Sequence, residues 1–286
     1  MKIGDIVVRK SYGKDITFKV IDVREKDGKE NIILKGINIR IIADSTLDDL
    51  EPAKEDSGST DKILNTRVNE AIKKAINIRG DLRDKEDKSA KIKNKDELVF
   101  GRPGKILHVD GDSEYMETCL KVYKQLYLDA VGKSIPESEQ PDVIVDLVKE
   151  VKPDIVVLTG HDSVVKNPKD YLDLDNYRNS KYYLESVKNL RNYNSSYDEL
   201  VIFAGACQSC YERILDVGAN FASSPNRVLI HCLDPVFVCE KIAYTRIDKV
   251  VSITDVIENT ITGIKGVGGL QTRGKYREGY PKSLYI

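Results

Sequence analysis

The 286-residue chain sets 45 Lys and Arg against 46 Asp and Glu, a net charge of −1, so no general electrostatic pull draws it to nucleic acid. With 41% apolar and 32% charged residues it reads as a charge-rich globular protein, long enough for one large domain and a small one. No run reaches the roughly 18 apolar residues of a membrane span, and the stretch behind Met1 lacks the apolar core of a signal peptide. The expectation is a cytoplasmic protein with no membrane partner, whose five cysteines, odd in number and thinly spread, stay reduced.

Residues 1–46 alternate short β-branched runs with turns: Ile6-Val-Val8, Ile16 to Val23 and Asn31-Ile-Ile-Leu34, with the hairpin signal Asp27-Gly28 between the last two. They read as a small SH3-like β-barrel, a docking or regulatory module without a cluster of catalytic groups. Residues 47–100 are rich in Lys, Asp and Glu, and only 68–76 show helical spacing, so the segment reads as a charged, partly helical linker. It is either a plain spacer or a cleavable one, since Arg67, Arg79, Arg83 and the nearby Arg102 offer basic residues to a protease.

Residues 101–286 alternate strands and helices. Strands are expected at 104–110, 154–159, 200–204 and 227–231. Helices are expected from Met116 to Val131, from Pro141, around 182–190, from Tyr211 and over 236–244, one more short element near 252–260, and residues 222–226 read as a turn. This order gives an α/β domain, a parallel sheet with helices on both faces. The glycine run 263–274 lacks the Gly-Lys-Ser/Thr ending of a phosphate loop.

Two buried-strand runs end in reactive side chains. Asp154-Ile-Val-Val-Leu-Thr-Gly160 runs into His161, and Leu200-Val-Ile-Phe-Ala-Gly-Ala206 runs into Cys207. Ligands bind beyond the carboxyl ends of such strands, so neighbouring strands place a thiol beside an imidazole that can take its proton. The amide of Cys207, with that of Gly160 or a neighbour, then supplies an oxyanion site, and a helix starting after Cys207 favours the thiolate. The competing motif is Cys207-Gln-Ser-Cys210, with redox or half-zinc spacing, but Cys232 and Cys239 make no matching second pair, so no metal or other cofactor is expected. His108 and His231 read as core or rim histidines, with His231 the reserve base.

An apolar block into His and another into Ala-Cys is the pattern of the caspase, clostripain, gingipain and legumain clan of cysteine peptidases, and the 46 residues from His161 to Cys207 compare with roughly 50 in caspases. From its Gly-Asp-Ile-Val-Val segment to its C-terminus the chain resembles the YabG family of sporulation-specific peptidases in that clan. It departs from many clan members in having Gly160 before the histidine and Asp162 after it, and Gly205-Ala-Cys-Gln-Ser209 around the cysteine, so an Asp specificity is not implied.

The resemblance implies a caspase-like sandwich and a cysteine endopeptidase that cleaves spore coat and cortex-associated precursors after Arg and also cuts itself. It would work in the mother cell, with association with the forming coat. It also implies an acidic S1 pocket, for which Asp110 and Asp112 come first and Asp162 and Asp234 behind them, while Gly205 stands where clostripain-like relatives are acidic. The other class of function is a non-enzymatic scaffold that binds coat proteins.

Overall fold

Antiparallel pairing of the first β-branched runs opens the structure, a computed structural model that describes residues 1–26, 29–54, 58–89 and 99–283. Strands β1 (Ile6–Arg9), β2 (Thr17–Lys26), β3 (Lys29–Gly36), β4 (Ile42–Thr46) and β5 (Leu50–Pro52) form one sheet in the order β4-β3-β2-β1-β5. Val7, Phe18, Val20, Ile32, Leu34 and Leu50 make its own small core. The Asp27-Gly28 turn lies outside the described residues, but its flanks Lys26 and Lys29 pair. Among the described residues β4 and β5 do not pair with one another, so what is seen is a five-stranded antiparallel sheet.

The charged segment that follows holds a far longer helix than its periodicity predicts. Helix α1 (Ser59–Ser89) runs 31 residues. Leu64, Val68, Ala71, Ile72 and Ala75, at helical spacing, pack on the main core, so a narrow apolar stripe outweighs the surrounding charge. Arg67 lies on this helix and reaches the Ile261 carbonyl at 3.5 Å. The side chains of Arg79 and Arg83 lie outside the described residues.

Strand β6 (Phe100–Arg102) then leads to β7 (Ile106–Asp110), α2 (Ser113–Gln125), β8 (Ala130–Ser134), α3 (Gln140–Val151), β9 (Ile155–Thr159), α4 (Ser180–Tyr193), β10 (Val201–Ala204), α5 (Tyr211–Asp216), β11 (Phe221–Ser223), α6 (Asp234–Tyr244), β12 (Val250–Val251), α7 (Ile253–Asn259), β13 (Val267–Gly269), β14 (Thr272–Arg273) and β15 (Arg277–Gly279). The main sheet runs β13-β11-β10-β9-β7-β8, parallel except for β13 at one edge.

Alternate strand residues enter two cores. Ile106, Ile155, Val157, Val201 and Phe203 pack with α1, α2, α6 and α7, whereas Leu107, Val109, Val156, Leu158 and Ile202 pack with α3, α4 and α5. This is the three-layer α/β arrangement expected of alternating strands and helices.

Two local expectations fail. The helix predicted to Val131 stops at Gln125, where Tyr127 turns left-handed at φ 53° and frees Ala130–Ser134 to become β8. The turn predicted at 222–226 overlaps the end of β11, and the strand predicted at 227–231 is a loop that bridges Ile39 through His231. Ser224 and Arg227, at φ 64° and 53°, interrupt the extended backbone that the β-branched run would otherwise adopt.

Candidate active site

Strands β9 and β10 are hydrogen-bonded neighbours, and Cys207 stands at the same register offset from His161 as Ala204 from its partner Leu158. Each lies three residues beyond the last rung, so the adjacent strands deliver both side chains to one edge of the sheet. Gly160, at φ 154°, turns the chain out of β9, and a Cβ there would collide with the Glu137 carboxylate. Gly205, at φ 107°, does the same for β10.

The imidazole of His161 is held at one nitrogen and open at the other. Its Nε2 lies 3.0 Å from Asp112 Oδ2, while its buried Nδ1 has no hydrogen-bond partner among the described residues. Glu137 Oε1 accepts the His161 amide at 2.6 Å, Asn179 Nδ2 donates to the His161 carbonyl at 2.8 Å, and the Tyr115 ring stands 5.7 Å away, centroid to centroid. An oriented imidazole with a free nitrogen is the form a general base needs.

Cys207 is 1% exposed, and its Sγ accepts the Ile230 amide at 3.1 Å. Burial pushes the thiol up to about 12, even though the Ile230 backbone and the Arg40 charge oppose it. The dipole expected to help is weak, because α5 begins four residues on, at Tyr211, and lasts only six residues. These facts describe a resting thiol rather than a standing thiolate. Among the described residues neither the Cys207 nor the Gly160 amide donates to any group, which leaves both available to an oxyanion.

The four predicted S1 carboxylates all have partners inside the fold. Asp110, fully buried, pairs with Arg40 at 2.6 Å and accepts from Thr159 Oγ1 at 2.8 Å and the Asp112 amide at 2.9 Å. Asp112 caps α2 through the Glu114 and Tyr115 amides and pairs with Lys35 at 2.8 Å. Burial raises its carboxyl, but bonds from His161 and Lys35 outweigh that and hold it well below the usual carboxylate range. Asp162 accepts from Ser180 Oγ at 2.5 Å and Ser209 Oγ at 2.8 Å, which ties the His161 loop to the Cys207 loop. Asp234 opens α6 and gathers the His231, Ile261 and Thr262 amides together with the Thr262 hydroxyl.

The remaining thiols and imidazoles are interior. Cys119, Cys210, Cys232 and Cys239 are buried and free, and among the described residues no His, Cys, Asp and Glu cluster could hold a metal. His108 bonds Tyr123 and Thr159 through its two nitrogens. His231 accepts the Leu233 amide on Nδ1 at 3.1 Å, and its buried Nε2 has no partner among the described residues. Burial, with the Arg40 charge adding to it, pulls His231 down from 6.5 to about 4.

The unfolded chain therefore protonates His231 first, so its contribution to stability is complete above 6.5 and fades as pH falls toward about 4. His231→Asn keeps an acceptor for Leu233 without titrating, and should flatten the fall of melting temperature across that window. Parallel curves for variant and wild type would assign the pH dependence elsewhere.

Sequence reasoning missed Lys35, Arg40, Tyr115 and Glu137. The first comes from β3 and the second from the loop between β3 and β4, and the only signal for them was a pair of cations in strand-like surroundings, opposite in sign to the acidic Asp110-Gly-Asp112-Ser-Glu114.

The described residues contain no helix long and apolar enough to cross a membrane. No solved structure matches the chain. A curated relative, the sporulation-specific protease YabG of Bacillus subtilis (strain 168), is 41% identical over 286 residues that cover 98% of each protein. The family model described as YabG peptidase U57 matches residues 2–281, and the chain, whose adjacent strand ends carry His161 and Cys207, thus belongs to the YabG peptidase family.

Proposed function

We propose that the protein is a cysteine endopeptidase of sporulation with Cys207 as nucleophile and His161 as base, built on a caspase-like sandwich. The observation that carries this reading is the half-satisfied imidazole: Asp112 holds Nε2 and Nδ1 is left free, at the same strand-end level as the thiol. On substrate binding Cys207 gives its proton to His161 Nδ1 and attacks the scissile carbonyl. The amides of Cys207 and Gly160 receive the oxyanion, and the imidazolium, steadied by Asp112, protonates the leaving amine. Water then hydrolyses the acyl-enzyme with His161 again as base. No step calls for a cofactor.

The preferred substrates in this reading are spore coat and cortex-associated precursor proteins cut after Arg, with the enzyme located in the mother cell and at the forming coat. The acidic strand ends support an Arg preference. Because Asp110, Asp112, Asp162 and Asp234 already have internal partners, a P1 guanidinium either competes with Lys35 for Asp112 or uses Glu137, of whose oxygens only Oε1 is engaged among the described residues, by the His161 amide. In either case a guanidinium shares or displaces an existing hydrogen bond to reach both oxygens, and its planar fork is better shaped for that than an ammonium. Self-cleavage fits the Arg-bearing segment between the N-terminal sheet and β7.

Wild type and Cys207→Ala incubated with peptides containing Arg, Lys, Leu or Asp, followed by mass spectrometry of peptides and enzyme, test the reading. The expected result is cleavage after Arg and conversion of the enzyme to two fragments, in wild type only. Equal turnover of Arg, Leu and Asp peptides would remove the acidic pocket. Identical products from Cys207→Ala would remove the nucleophile.

A further inference from the structure

The N-terminal sheet reaches both members of the proposed pair. Its own core uses Ile32 and Leu34 of β3, so the alternate residue Lys35 lies on the other face, which is turned to the α/β domain. Lys35 is 8% exposed, and its ammonium lies 2.8 Å from Asp112 Oδ1 and 2.6 Å from Glu114 Oε2. Asp112 Oδ2 in turn holds His161 Nε2 at 3.0 Å. Lys19, directly across the strand pair from Lys35, also reaches Glu114, at 2.6 Å. Two like charges facing each other repel, and α2 offsets that repulsion with its acidic first turn.

The second contact approaches the cysteine. The Arg40 amide donates to the Ile230 carbonyl at 3.3 Å and the Cys232 amide to the Asn38 carbonyl at 2.9 Å, and Ile39 bridges His231. This is the loop whose Ile230 amide touches Cys207 Sγ. The Arg40 guanidinium lies 3.4 Å from the Gly160 carbonyl, at the end of β9, and 3.4 Å from that of Cys232, in this loop. Between the two contacts stands Tyr115, buried, its hydroxyl at 2.5 and 2.8 Å from the Gly36 and Ile39 carbonyls and its ring beneath Lys35 and Arg40 at 4.9 and 5.0 Å.

We propose that the N-terminal sheet is a component of the active site rather than an appended module, and that Lys35 is a positioning residue that fixes Asp112, and through it the orientation and basicity of His161. The proposal rests on the reading of His161 as the base. Lys35 neutralises a half-buried carboxylate that would otherwise hold the protonated imidazole too firmly, and its bond leaves Oδ2 as the oxygen aimed at Nε2. The charged and titratable groups around His161 are Asp112 and Tyr115 from the start of α2, Glu137 at its amide, Tyr183 of α4 at its carbonyl, neighbouring Asp162, and Lys35 and Arg40 from the sheet. Among these, Lys35 is the cation bonded directly to the carboxylate that holds the imidazole.

The test is the kcat/KM profile of the full chain from about pH 5 to 9 on a peptide that wild type cleaves, with folding checked by thermal melts. Lys35→Met should lower kcat by about 10- to 100-fold with KM little changed, and should move the acid limb to higher pH. Lys35→Arg should restore the limb and most of the rate. Asp112→Asn should move the limb the opposite way, because it removes the anion. Should Lys35→Met fail to fold, Lys35→Gln, which keeps a donor to Asp112 without the charge, carries the same expected shift. A folded Lys35→Met or Lys35→Gln with the wild-type rate and acid limb overturns the proposal. If instead His161→Ala itself stays active, it is the assignment of the base that fails, and the two failures are distinguishable.

Discussion

Cys207→Ala and His161→Ala are each expected to lose peptide-bond cleavage by on the order of 10⁴-fold or more, and the double variant to lose no more than either single one. In the proposed mechanism the two groups form one proton-transfer unit. The buried thiol, pushed up to about 12, delivers almost no thiolate at neutral pH without a base, and an imidazole with no thiol beside it has nothing to activate. Cys210→Ala is the informative comparison. Cys210 sits at the start of α5 with its Sγ turned to the Tyr171 carbonyl at 3.5 Å, so its alanine variant should retain most activity. Steady-state kinetics of the four proteins decide the matter. Additive losses from Cys207 and His161, or a Cys210 variant as inactive as Cys207→Ala, would favour a dithiol chemistry instead.

Arg40→Met is expected to destabilise the fold by about 3–5 kcal/mol, because it strands a buried carboxylate, and to lower the melting temperature by on the order of 10 °C. Arg40 is 1% exposed and Asp110 fully buried, and their atoms meet at 2.6 Å. Burial alone would push the Asp110 carboxyl up, yet the Arg40 charge and further hydrogen bonds hold it far below the usual range. The pair therefore stabilises the protein above the unfolded carboxylate value near 4, and that stability is lost progressively as pH falls below it. Arg40→Met/Asp110→Asn should recover much of the loss, since no uncompensated charge remains inside. Chemical denaturation of the single and double variants measures the coupling. A loss below about 1 kcal/mol in Arg40→Met would mean that the pair is hydrated and that the sheet is not anchored there.

The strand runs ending in His161 and Cys207 were legible because their signal is local. A β-branched block stopped by glycine specifies a buried strand and an exposed end within a few residues, and alternation with helical periods specifies the parallel sheet. That β9 and β10 are neighbours in matching register follows from connection rules rather than from either run alone, and the pairing of Ala204 with Leu158 bears it out.

Short-range patterns failed where backbone geometry intervened, as at Tyr127 and at Ser224 and Arg227. They also failed in α1, where charge masked a five-residue apolar stripe whose binding surface, the main core, is made by residues far along the chain. The role of Asp112 shows the same limit. A carboxylate at a strand end looks equally suited to bind substrate or to orient a histidine, and only the positions of Lys35 and His161, 77 and 49 residues away, separate the two. Local order was thus determined by propensity and periodicity in the sequence, whereas the ionic frame that joins the N-terminal sheet to the strand ends was decided by tertiary structure. Buried charges find their partners through burial and geometry, and neither is encoded at any single position in the chain.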